Sequence, residues 1–337
     1  MKANILLTVD YLTETELAQY RTHNWSNILG IARLGASNKS FEANLPVARV
    51  EAKSLGGSPL IYEVWRAAGP LRNFNVGDIE YRTNGQLLFG RIAIQKSATL
   101  WLATEDAYDQ IFVCLRNAGL PHLLRVWNYL PQINQEDGGV ERYRQFNEAR
   151  QKSFKKYGDF FNANVRPAYV PAACALGTGA NTALSIYFIA SASEPIAIEN
   201  PRQVPAYDYP AEYGDFRPLF SRATLLKSSS AMALFISGTS SIIGHSTVSA
   251  GNILAQTRET FANIRSLMDT VNDNIENVHI AINNLRFKIY LREARDHDIV
   301  AGELARQFNF EFPATYLQAD ICRADLSVEI EAFGALA

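Results

Sequence analysis

The chain has 337 residues, of which 47% are hydrophobic and 20% charged, enough apolar content to bury one large core or two medium ones. Disordered, collagen-like and low-complexity classes are excluded by that composition. Lys and Arg number 32 against 34 Asp and Glu, so no overall positive field draws polyanions, and nucleic acid is not an expected partner.

In chain order, Met1 to Asp10 carries a short apolar run that ends at Asp10, which reads as a first strand rather than a signal-peptide core. No stretch approaches the roughly 18 to 20 apolar residues that span a bilayer, and Cys114, Cys174 and Cys322 are too scattered for a disulfide framework or metal knuckle. The expectation is a cytoplasmic protein without membrane contact. Leu87 to Gly90 reads as a buried strand, followed by a helix that Thr104 caps, that presents Tyr108, Ile111, Phe112 and Leu115, and that stops at Gly119. The strand LRVWNYL (residues 124–130) follows. In the second half, Leu234 to Gly238 reads as a buried strand, and Leu254, Phe261, Ile264, Leu267 and Met268 form a helical stripe ahead of the strand LRFKIYL (residues 285–291).

These halves match one another. Residues 171–190 lie over residues 313–332 at a constant offset of 142, and Leu124, Arg125, Tyr129 and Leu130 lie over Leu285, Arg286, Tyr290 and Leu291 at an offset of 161. The difference assigns about nineteen extra residues to the first half, including a helix near 135–160. Two repeats of strand, helix, strand, helix, strand give an α+β fold, each a mixed sheet covered on one face by helices. The domains expected are 1–195 and 196–337, joined where Pro195 and Pro201 bracket a link.

Five histidines show no HExxH or HxH spacing, so no metal site is expected. Gly177 to Thr182 lacks the third glycine of a dinucleotide fingerprint and reads as a turn, and no GxSxG elbow occurs. The closing strand alternates, placing Ser327, Glu329 and Glu331 on one face. In the offset alignment Tyr187 stands where Glu329 does and Ile189 where Glu331 does, so one carboxyl-bearing cleft or a solvated edge are both open readings. Tyr143, Asn147 and Arg150 share a helical face, which is either an anion-binding surface or a solvated basic helix running on through Lys152, Lys155 and Lys156. Arg202, just past the join, is placed to reach a cleft between the halves.

Ser237-Gly238, residues 256–264, the Pro313-Ala314 turn and Val328 to Ala332 resemble the reactive-intermediate deaminase (RidA-like) fold. Thr315 and Ala173 stand where that family carries its substrate-binding arginine, so imine deamination is not implied. LRVWNYLPQIN, ERYRQFNEAR, Asn200 to Gln203 and the loop from Ser237 to His245 resemble the chorismatases, which are similar to fused RidA-like repeats. That resemblance spans residues 85–337. It implies chorismate as substrate, no metal or redox cofactor, Glu329 as the proton donor, and Tyr143, Arg150 and Arg202 as substrate-binding groups. Gly238 and Cys322 resemble the pair of the branch that forms 3-hydroxybenzoate with pyruvate. Hydrolytic and mixed 3-/4-hydroxybenzoate branches, a non-catalytic RidA-like binding module, and a monomeric or trimer-like assembly remain the alternatives.

Overall fold

A computed structural model of the chain describes residues 7–336 apart from 37–42, 96, 159–169, 229–230 and 309–313. Three units follow one another. The first comprises β1 (Leu7–Leu12), α1 (Glu14–Asn24), β2 (Ile28–Leu34), β3 (Val47–Val50), β4 (Lys53–Leu55) and β5 (Ile61–Ala67). Its sheet has the order β1-β5-β2-β3. Four strands of residues 7–67 thus form a sheet of their own inside the segment assigned to the first repeat, a unit related to the others by strand order and sense and not by any residue match the sequence displays.

The second unit runs β6 (Arg72–Val76), β7 (Ile79–Thr83), β8 (Leu87–Ile94), α2 (Leu100–Ala118), β9 (His122–Pro131), a short hairpin of β10 (Glu136–Asp137) and β11 (Val140–Glu141), α3 (Arg142–Tyr157), β12 (Ala172–Thr178) and β13 (Leu184–Ser191). The third runs β14 (Ile196–Ile198), β15 (Ala223–Lys227), β16 (Met232–Thr239), a hairpin of β17 (Ile242–Ile243) and β18 (Ser246–Thr247), α4 (Ile253–Asn274), β19 (Leu285–Leu291), α5 (His297–Phe308), β20 (Ala314–Gln318), β21 (Asp320–Ile321) and β22 (Val328–Leu336). The fold is α+β. The order β12-β9-β13-β8-β7-β6 in one seven-stranded sheet reproduces β20-β19-β22-β16-β15-β14 in the other. Each sheet then takes one strand from elsewhere: β21 pairs with β12, and β4 pairs with β20. The parallel pairs β9–β12 and β19–β20 are bridged by α3 and α5, as a parallel connection requires. The helix near 135–160 therefore belongs to the repeat, and between β9 and α3 the hairpin β10–β11 has no counterpart among the described residues of the third unit.

Helix α2 starts earlier than expected. Thr99 caps it, accepting from the Leu102 N–H at 3.1 Å, while Thr104 lies inside and donates to the Leu100 carbonyl at 2.8 Å. Gly119 ends it with φ 67°, a left-handed conformation that glycine adopts without strain.

Helices cover the outer face of each seven-stranded sheet, and the inner faces of all three sheets share one core. Trp65 lies 5.5 Å from Trp127 and 4.8 Å edge-on from Phe333, so each unit contributes one of these rings. Tyr129 and Tyr290, repeat mates by sequence, meet with hydroxyls 2.7 Å apart. At the centre, Lys288 lies 2.9 Å from Glu63 of β5, 2.9 Å from the Tyr187 hydroxyl and 2.7 Å from Glu331.

Strand register corrects the gapless alignment. Ser185 faces Tyr129 on β9 just as Glu329 faces Tyr290 on β19, and Tyr187 faces Trp127 as Glu331 faces Lys288. Ser185 is thus the counterpart of Glu329, and Tyr187 that of Glu331. A period-2 strand tolerates a two-residue slip without changing face, which is why the residue alignment missed it.

Candidate active site

The site lies where α3 and β12 of the second unit face β16 and β22 of the third. A cavity of about 240 Å³, bounded by Tyr143, Asn147, Arg222, Arg323, Gly238 and Glu329 among others, adjoins a recess of about 40 Å³ that reaches Arg150, Asn128 and Cys174. Its size suits a small metabolite rather than a polymer.

Strand β22 delivers Glu329 into this space from a buried position, with its side chain on the inner face next to Glu331. Opposite it, β16 carries a bulge: Ile236 pairs with Ala332 and Thr239 with Ile330, leaving an extra residue in Ser237-Gly238. A Cβ at Gly238 would stand 1.9 Å from Oε1 of Glu329 and 3.1 Å from Cβ of Cys174, so glycine is what allows the carboxyl to occupy its place. Among the described residues Oε1 has no hydrogen-bond partner. Burial, and secondarily the charge of Glu331, raise the Glu329 pKa to about 8, with Arg125 opposing. Burial acts on Glu331 as well, but Lys288 and Arg125 outweigh it and hold that carboxyl below its ordinary value, helped by the Trp127 indole N–H at 2.7 Å. Two carboxyls two residues apart thus sit in opposite states, one ionised and one protonated at neutral pH.

Three arginines share the lining of the cavity and its recess with this acid. Arg150 is buried, donates through Nε to the Tyr108 hydroxyl at 2.7 Å and through Nη1 to the Leu219 carbonyl, and keeps Nη2 without a partner. Arg222, also buried, donates through Nη2 to the Val204 carbonyl at 2.8 Å and the Tyr209 hydroxyl at 2.9 Å, while its Nε is unpartnered. Arg323 stacks 4.2 Å from the Tyr213 ring centroid, donates through Nη1 to the His245 carbonyl at 2.8 Å, and leaves Nη2 unpartnered. Among the described residues none of the three forms an ion pair with a carboxylate, unlike two lysines of α3: Lys152 pairs with Glu105 at 2.7 Å and Lys156 with Asp109. Unpaired buried guanidinium groups are costly, and an anionic ligand would offset that cost.

The structure brings together Tyr143, Arg150, Gly238, Cys322 and Glu329. It does not bring Arg202, whose guanidinium bonds Asn263 at 2.9 Å and pairs with Glu259 on α4, outside the cavity. Arg222 and Arg323 were missed by sequence reasoning. Arg323 adjoins Cys322, which could have drawn attention to it, whereas no motif marks Arg222. Burial pushes the Cys322 thiol up to about 12, so it lines the cavity as a neutral group.

A buried carboxyl beside arginines in one cavity between fused repeats is an arrangement able to hand a proton to a small anionic molecule. The family model for the N-terminal part of FkbO/Hyg5-like chorismatases matches residues 63–190. A chorismatase from Streptomyces hygroscopicus is 32% identical over 273 residues, 80% of this chain and 78% of that protein. A 3-hydroxybenzoate synthase from the same organism is 30% identical over 318 residues, 90% of this chain and 91% of that one. A chorismatase crystal structure superposes with a TM-score of 0.87 at 26% identity, covering 98% of both chains. The chain belongs to the chorismatase family.

Proposed function

We propose that the protein converts chorismate to 3-hydroxybenzoate and pyruvate. The observation that carries this reading is the buried Glu329, whose Oε1 lacks a hydrogen-bond partner among the described residues and which lines, with Arg150, Arg222 and Arg323, a cavity and adjoining recess where none of those three arginines pairs with a carboxylate. Chorismate brings two carboxylates, a ring hydroxyl and an enolpyruvyl ether, so Arg150, Arg222 and Arg323 supply the charge-assisted bonds it needs. Tyr143 and Phe220 supply wall.

In the reaction, protonated Glu329 delivers its proton to the methylene carbon of the enol ether, giving an oxocarbenium ion and a carboxylate. The ring hydroxyl oxygen then bonds to the ring carbon that bears the ether. That carbon–oxygen bond breaks with its electron pair, and pyruvate leaves as the ketone. The hydroxyl proton returns to Glu329, and the arene-oxide-like species opens to the aromatic phenol. Chorismate contributes every atom of the two products, and the acid is regenerated. Gly238 and the neutral Cys322 keep their part of the wall small and uncharged, which favours attack by the substrate's own hydroxyl over an ordered water.

The test is incubation of purified protein with chorismate in H₂¹⁸O, with pyruvate quantified by lactate dehydrogenase and the aromatic product by chromatography and mass spectrometry. Equimolar pyruvate and 3-hydroxybenzoate with no heavy oxygen at the phenol is the expected result. Pyruvate with a dihydroxycyclohexadiene carboxylate would assign the hydrolytic route, a mixture with 4-hydroxybenzoate the mixed route, and no pyruvate above the spontaneous rate would leave a binding module.

A further inference from the structure

Tyr108 reads in the sequence as one apolar rung of α2, packed with Ile111, Phe112 and Leu115, and it is fully buried. A buried tyrosine needs a partner for its hydroxyl, and this one has two. Its oxygen accepts from Nε of Arg150 on α3 at 2.7 Å, and its O–H donates to Oδ1 of Asn128 on β9 at 2.7 Å. The amide of Asn128 in turn donates to the carbonyl of Cys174 on β12 at 2.8 Å. One directed chain, all of it buried, runs from a guanidinium through a phenol and an amide to the strand that flanks Glu329. The Arg150 guanidinium also lies 4.7 Å from the Phe154 ring centroid, so the ring restrains its plane while Tyr108, together with the Leu219 carbonyl that Nη1 reaches, restrains its rotation within that plane. Arg150, with Nη2 unpartnered among the described residues, is thereby held at the recess that Asn128, Cys174 and Glu329 also line.

We infer that Tyr108 is a positioning residue of the site, which sets the orientation of Arg150 toward the ligand carboxylate through the Arg150–Tyr108–Asn128–Cys174 hydrogen-bond chain. The inference rests on the reading that Arg150 binds a substrate carboxylate. Without the hydroxyl, Arg150 Nε and Asn128 Oδ1 both lose a buried partner, and the guanidinium is held by the Leu219 carbonyl and the Phe154 ring alone, a weaker restraint on its orientation. Ground-state binding suffers, while proton transfer from Glu329, which Tyr108 does not touch, is retained.

The test is Tyr108→Phe, Arg150→Met and the double variant in the full-length protein, with KM and kcat for chorismate read from pyruvate release and melting temperature read alongside. Tyr108→Phe should raise KM about tenfold with kcat within about threefold, and should add less than about twofold to KM once Arg150 is Met. Asn128→Ala, which removes the far acceptor, should raise KM in the same direction by a smaller factor and gives a second route to the answer if Tyr108→Phe does not fold. If Arg150→Met raises KM but Tyr108→Phe and Asn128→Ala leave it unchanged, or lower only the melting temperature, the positioning role is wrong while the substrate reading stands. If Arg150→Met itself leaves KM unchanged, the substrate reading of Arg150 fails and the inference with it. An undiminished Tyr108→Phe effect in the Arg150→Met background would also overturn it.

Discussion

Two clefts of this molecule occupy equivalent places in the repeat and differ in what they can do. Around Glu329, β16 is bulged at Ser237-Gly238, the carboxyl has a free oxygen, and the nearby arginines lack carboxylate partners. Around Ser185, β8 pairs with β13 in unbroken register, the hydroxyl donates to the Arg49 carbonyl at 2.9 Å, and Arg91 is engaged by Glu80 at 3.2 Å. The second cleft is wider, about 940 Å³, yet its lining carries no buried acid with a free oxygen. Volume therefore does not mark the chemistry. What separates the clefts is local satisfaction: in one Ser185 and Arg91 are matched by protein groups, and in the other a proton donor and several cations have been left for a ligand to match.

The sharpest way to break the contrast is Glu329→Gln, which keeps shape but cannot donate a proton. Turnover should fall by about 10²- to 10⁴-fold in a pyruvate assay, while Ser185→Ala at the equivalent position should leave it within about twofold. Gly238→Ala comes next. The added methyl overlaps Oε1, the far end of a flexible side chain, so the carboxyl rotates away, and kcat should drop by about 10²-fold with little change in melting temperature. Arg222→Ala and Arg323→Ala should each raise KM for chorismate by about tenfold or more, since a hydrogen bond between charged groups contributes roughly 1.5 to 3 kcal/mol. Arg202→Ala is the smallest effect. Its ion pair with Glu259 is partly exposed and lies outside the cavity, so KM should stay within about twofold and stability should change by at most about 1 kcal/mol.

Much of this was legible in the residues. Strand alternation put Glu329 and Glu331 on one face, and helical spacing put Tyr143, Asn147 and Arg150 on another, because both depend only on local backbone geometry. The family resemblance then singled out Gly238 and Cys322. Three things were hidden. The counterpart of Glu329 was misassigned because two loops of different length shift the register of β13 against β22, and only pairing reveals it. Arg202 looked better placed than Arg222 because chain position near a domain join says nothing of direction, and Arg202 turns to Glu259 and Asn263. The first unit escaped notice because its kinship with the repeats lies in strand order and in Glu63 at the shared centre, not in matched residues.

The account stands on Glu329 being a protonated acid at neutral pH, and its ionisation can be followed directly by carbon-13 NMR of protein labelled at glutamate carboxyl carbons, with Glu329→Gln identifying the resonance. A midpoint near 8, as burial and Glu331 dictate, should coincide with the pH above which kcat/KM falls about tenfold per unit, because rising pH removes the proton to be donated. A Glu329 carboxyl that is ionised throughout the range from about 6 to 8, with kcat/KM flat across it, would contradict the account.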